Sequence, residues 1–185
     1  MIKTQFKDAE EAYWHARDIC SRYPSAERLI LKCPIHAFLY AKYIIKGRWP
    51  EAEAIIVKDA EYAFHYALNI LCCRWPEAEP IIAKDARYAC LYARDIIQGR
   101  WLEGEKIIAE SSRWATEYAI EVMKERWPEA EEVISEYWTY RIRYLETFFH
   151  DEDVVTKKEV PDYIWVRAKT SGFYATAESL KDTNS

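Results

Sequence analysis

Arg48-Trp49-Pro50-Glu51-Ala52-Glu53 decides the fold. The stretch returns as Arg74-Trp75-Pro76-Glu77-Ala78-Glu79 and, altered, as Arg100-Trp101-Leu102-Glu103-Gly104-Glu105. It returns once more as Arg126-Trp127-Pro128-Glu129-Ala130-Glu131, the four tryptophans standing 26 residues apart. A more divergent copy, Arg22-Tyr23-Pro24-Ser25-Ala26-Glu27, lies one period upstream. A fixed period of this size marks stacked supersecondary units, each burying its apolar face on a neighbour.

Inside one period, 48–73, the residues spell two helices. Pro50 suits the first helical turn, where its missing N–H costs nothing. Glu51 and Glu53 favour the positive end of the helix dipole. Ala52, Ile55 and Ile56 share one apolar face. Asp59 is a cap for a second helix, as are Asp85 and Ser111 or Ser112, with Cys33 before Pro34 a weaker version. That helix carries Tyr62, Ala63, Tyr66, Ala67, Ile70 and Leu71, rows in which small residues let a neighbour approach closely. Gly47 and Gly99 stand where a left-handed C-terminal cap is expected. Each period predicts a helix of about 8–10 residues and a longer one of about 12–14, neither stable alone in water. Pro80, four residues after Pro76, predicts either a kink or a helix that starts late.

The fold expected is all-α: an α-solenoid of helix–turn–helix repeats with period 26. Residues 1–21 form a lead-in helix, because Lys7-Asp8-Ala9 through Ile19 matches Lys84-Asp85-Ala86 through Ile96. Residues 22–151 hold five repeats, and 152–185 are a C-terminal appendage. In the last repeat Tyr137 replaces the cap, and the apolar end Tyr144 to Phe149 is placed to close the stack. In the appendage, β-formers at Tyr163–Arg167 and Phe173–Thr176 flank Gly172, a β-hairpin signal.

The totals bound the function. The 185 residues are 50% hydrophobic and 31% charged, with a net charge of -5. An acidic balance argues against non-specific nucleic-acid binding and against a membrane-surface partner. No apolar run nears the ~18 residues of a membrane span, and Met1–Phe6 lacks the apolar core of a signal peptide. Five cysteines at no ligand spacing read as free thiols in a reducing cytoplasm. The four histidines make no metal-binding pair, no cofactor motif is present, and no nucleophile–base signature stands in a unique setting, so neither a metal site nor an enzyme is expected. The arginine column pairs with the glutamate columns, and the tryptophan row fills the inter-repeat core.

The motif at 48–59 and 74–85 resembles the short helical repeats of tailed bacteriophages and related environmental viruses, over residues 7–150. That resemblance implies a phage accessory protein in the host cytoplasm, with no catalytic residues to carry over. Joined to the absence of a site signature, it implies a protein-interaction protein that binds and modulates, or inhibits, a bacterial defence protein. Apolar stack ends also admit homo-oligomers. The alternatives are a small-molecule or nucleotide-binding module and a structural, self-assembling component. For ligand or peptide contact the aromatic candidates are Tyr62, Tyr66, Tyr88, Tyr92, Trp114 and Tyr118.

Overall fold

The computed structural model describes residues 5–148 and two short strands, Val166–Arg167 and Tyr174–Ala175. The described body is all-helical. The strands pair antiparallel, Val166 opposite Ala175 and Arg167 opposite Tyr174, and the rest of the expected hairpin and appendage lies outside the described residues. The chain divides into two compact units, Met1–Gly104 and Glu105–Ser185, a division that falls inside the fourth repeat rather than between repeats.

The first unit opens with α1 (Ala9–Asp18), capped by Asp8, whose side chain accepts from the Glu11 N–H. Three helix pairs follow: α2 (Pro24–Ile30) with α3 (Pro34–Tyr40), α4 (Pro50–Ile56) with α5 (Ala60–Tyr66), and α6 (Glu79–Ile82) with α7 (Ala86–Tyr92). Next come α8 (Leu102–Ile108) and α9 (Ser112–Glu117), and then α10 (Glu131–Ser135) and α11 (Trp138–Phe148). The caps read from sequence form where the side chain is Asp. Asp59 accepts from the N–H groups of Glu61 and Tyr62, and Asp85 from that of Tyr88. Ser111 sits at the N-cap of α9 with extended backbone but makes no side-chain cap bond. Ser112 is instead the first residue inside, buried, its hydroxyl donating to the Val133 carbonyl at 2.5 Å. Cys33 makes no cap bond either.

Two features depart from the expectation. The second helix of a pair does not stay α-helical: α3, α5, α7 and α9 each widen into a π-helical end, Ala41–Ile45, Ala67–Leu71, Ala93–Ile97 and Tyr118–Met123. The left-handed residue that closes each end is also not the glycine. Lys46, Cys72, Gln98 and Lys124 take φ of 58, 53, 58 and 58°. Gly47 and Gly99 lie one residue further on, their N–H groups bonded back to the Ala41 and Ala93 carbonyls at 3.2 Å. They fill the C″ place of a Schellman-type ending, whose left-handed place is the residue before.

The proline problem resolves as a late start. A turn occupies the place of the first helical turn after Trp75, and α6 begins at Glu79 with Pro80 in its first turn, where the missing N–H breaks no bond. In the last repeat the first turn is a 3-10 turn, Pro128–Ala130, ahead of α10.

Candidate functional site

The repeat-defining residues first satisfy one another. Arg48 donates twice to Glu53, Nε to Oε1 at 2.6 Å and a terminal nitrogen to Oε2 at 3.0 Å. The same two-pronged pair joins Arg22 to Glu27, Arg74 to Glu79 and Arg126 to Glu131. The glutamate in turn accepts from a tyrosine hydroxyl on the second helix. Tyr40 donates to Glu27, Tyr66 to Glu53, Tyr92 to Glu79, Tyr118 to Glu105 and Tyr144 to Glu131. That hydroxyl accepts from a backbone N–H at the motif's second residue: Tyr23 to Tyr40, Trp49 to Tyr66, Trp75 to Tyr92 and Trp127 to Tyr144, at 2.7–2.8 Å. The tyrosine ring then packs on the next tryptophan, with centroids 5.0–5.2 Å apart for Tyr40–Trp49, Tyr66–Trp75, Tyr92–Trp101 and Tyr118–Trp127. After Tyr144 the motif is not repeated, and Phe148 of the same helix meets the ring at 4.9 Å.

This closed circuit sets the electrostatics. Burial, with the tyrosine's hydrogen bond to its glutamate, pushes the phenols of Tyr40, Tyr66 and Tyr92 up to about 12. The arginine hydrogen bond holds the carboxyls of Glu53 and Glu79 below the usual range, against an opposing burial effect. The other glutamate column, Glu51, Glu77, Glu103 and Glu129, is exposed.

The aromatic candidates separate accordingly. Tyr66, Tyr92 and Tyr118 are 0% exposed and belong to the circuit. Tyr88 is buried, its ring 5.9 Å from Phe64 and 6.3 Å from His65. Tyr62 is half-buried against Phe38, and Trp114 half-buried beneath the Arg113 guanidinium at 4.7 Å. Of these candidates within the first unit, Tyr66, Tyr88 and Tyr92 are buried and only Tyr62 is half-buried. No group of three His, Cys, Asp or Glu side chains that could hold a metal ion exists among the described residues.

No family model matches the chain, and no curated protein or solved structure matches it either. Among the described residues, the second helices of the first unit carry exposed side chains that take no part in this circuit.

On these helices the repeats diverge. The positions equivalent to Trp14 are Leu39, His65 and Leu91, those equivalent to Arg17 are Lys42, Leu68 and Arg94, and those equivalent to Asp18 are Tyr43, Asn69 and Asp95. In the first unit Trp14 and Tyr43 are each 47% exposed. The Arg17 guanidinium bridges them, 5.1 Å from the Trp14 ring and 5.5 Å from the Tyr43 ring. Lys42 lies 5.6 Å from both the Tyr43 and Phe38 rings, its ammonium donating to Asn69 at 2.9 Å. Further along, Arg94 pairs with Asp95. In the second unit Arg143 pairs with Glu117 and reaches Glu121 at 3.7 Å. Sequence reasoning missed the Trp14–Arg17–Tyr43–Lys42 cluster because its two aromatics do not recur at the equivalent positions. The usable signal was the negative one, that a period-breaking aromatic on a polar helix face has no stacking duty.

Proposed function

We propose that this protein is a non-enzymatic interaction protein, an α-solenoid whose second-helix face binds another protein. One observation carries the reading. The residues that repeat are consumed by one another, Arg by Glu, Glu by Tyr and Tyr by backbone, while the outward second-helix positions differ from repeat to repeat and hold half-exposed aromatics. A repeating scaffold with a varied, partly aromatic face is the arrangement by which helical-repeat proteins select partners. The likeness of the motif to phage helical repeats supplies the setting: a phage accessory protein that acts on a bacterial protein, with inhibition of a defence system as its concrete form. The small-molecule alternative draws less support, since Tyr66, Tyr92 and Tyr118 have both ring and hydroxyl engaged inside.

The test is affinity capture from bacterial lysate with the natural protein and with a Trp14→Ala/Tyr43→Ala double variant. Far-UV circular dichroism first establishes that both are equally helical. The expected outcome is a protein retained by the former and lost from the latter. Equal retention by both, or none by either, overturns the reading.

A further inference from the structure

We infer that the Trp14–Arg17–Tyr43–Lys42 cluster docks an acidic peptide segment of a protein partner, carboxylates against the two cations and an apolar side chain across the two rings. The inference rests on the interaction reading above and names the chemistry of the occupant.

Six of the chain's other arginines are ion-paired: Arg22, Arg48, Arg74, Arg94, Arg126 and Arg143 each pair with a carboxylate. Arg17 does not, among the described residues. Its polar contact is the Tyr13 hydroxyl at 3.3 Å, and Asp18, next in sequence, forms no ion pair with it. A guanidinium carries five N–H donors in a planar fork, and stacking between aromatic faces leaves the edge of that fork open to a carboxylate. Arg87 and Arg113 also lie over rings, at 5.2 and 4.7 Å, but each over the ring of the very next residue. Arg17 alone of the three is held between rings from two different helices, α1 and the π-helical end of α3, so its position is fixed by the packing of two elements. Lys42 adds a second cation whose polar partner is a neutral amide, leaving two of its three donors available.

Charge complementarity selects the occupant. Arg17 and Lys42 are two cations that no carboxylate pairs with among the described residues, on a chain of net charge -5. A long polyanion such as single-stranded nucleic acid would share the taste for stacked aromatics and cations. It would also meet, along its whole length, the repulsion of a chain of net charge -5. A short acidic segment meets the two cations without that penalty. Half-exposed Trp and Tyr beside Arg have the composition of interaction hot spots.

The experiment is fluorescence anisotropy with three labelled probes: a 15-residue peptide alternating Glu and Leu, the same peptide with Lys for Glu, and a 15-nucleotide oligothymidylate. They are titrated with the natural protein, with Arg17→Glu/Lys42→Glu and with Trp14→Ala/Tyr43→Ala, all surface changes that leave the internal circuit untouched. The expected result is binding of the Glu peptide, weakened at least about tenfold by either double variant and diminished by added salt, with the charge-reversed protein now favouring the Lys peptide. No binding of the Glu peptide, equal affinity in the variants, or tighter binding of the oligonucleotide each overturn the inference. Lysate capture that still depends on Trp14 and Tyr43 would then leave the interaction reading standing and discard only the acidic occupant. Capture that fails as well would discard both.

Discussion

Tyr92 joins three elements through one oxygen: it accepts from the Trp75 N–H at 2.7 Å and donates to Glu79 at 3.0 Å, while its ring lies on Trp101. Tyr92→Phe keeps the ring and removes the oxygen, leaving a buried N–H without its acceptor. That costs about 1–3 kcal/mol. Glu77→Gln, two residues from Glu79 but on the exposed column, stays within about 0.5 kcal/mol. Urea denaturation of both variants checks the contrast, and equal losses would refute the division into inner and outer columns. Cys72 sets a second expectation. It holds φ of 53° with a side chain, a conformation of order 1 kcal/mol dearer than for glycine. Cys72→Gly therefore raises the urea midpoint, by an amount equivalent to about 1 kcal/mol. Gly104→Ala goes the other way. The added Cβ would stand 2.6 Å from a Trp101 ring carbon and 3.3 Å from the Ala89 methyl, so the indole must move. The overpacking outweighs the helix propensity gained, a loss of about 1 kcal/mol.

At the scale of the element, the first helix of each pair is the adaptable one. It is seven residues in α2, α4 and α8, four in α6, and five behind a 3-10 turn in α10. The circuit nonetheless keeps its 2.7 Å Trp75–Tyr92 and Trp127–Tyr144 bonds. The contacts that matter are anchored at the motif's second and sixth residues, so the turns between them can vary. Ala54 occupies in α4 the place of Pro80 in α6. Ala54→Pro should shorten α4 to the form of α6 and cost about 1 kcal/mol or less, rather than the roughly 3 kcal/mol of an interior proline. A guanidinium-chloride midpoint shift matching the larger figure would show that α4 cannot make the change. The same pattern explains what the sequence revealed. The Pro starts, the Asp caps and the Arg–Glu pairing were legible, because each rests on a residue type with one dominant local role. The π-helical ends were not, since a widened last turn uses the same Ala, Ile and Tyr as an α-helical one. The left-handed Lys46, Cys72, Gln98 and Lys124 were hidden too, because none of these side chains signals positive φ while a neighbouring glycine does. Of the candidate site, only aromatics on the period could be found. The Trp14–Tyr43 pair breaks the period and became visible when α1 and α3 were placed side by side.

Over the whole molecule the repetition of one circuit ties stability to pH at both ends. The Tyr40, Tyr66 and Tyr92 phenols sit at about 12 in the folded chain against an ordinary value of 10.0. The unfolded chain therefore loses those protons first. The stabilisation they report is complete below pH 10 and disappears as pH rises toward 12. The carboxyls of Glu53 and Glu79 run the opposite way, held under their ordinary 4.5 by Arg48 and Arg74. Their contribution is complete above pH 4.5 and is lost as pH falls through the lowered folded value. His65, depressed below 6.5 by burial, adds a slope that begins as pH drops under 6.5. Urea midpoints measured from pH 3 to 12 should thus form a plateau between about 6.5 and 10, with a shallow acid shoulder before a steep fall and one alkaline fall. His65→Phe should remove the shoulder and leave both steep edges in place. Because the circuit phenols lie behind their own glutamates, their ionisation, followed at 295 nm, should coincide with the loss of helical circular dichroism on the alkaline side. Full ionisation of every tyrosine while the helices persist would mean that the Tyr–Glu–Arg circuit is not closed in solution, and the account of the repeat would fall with it.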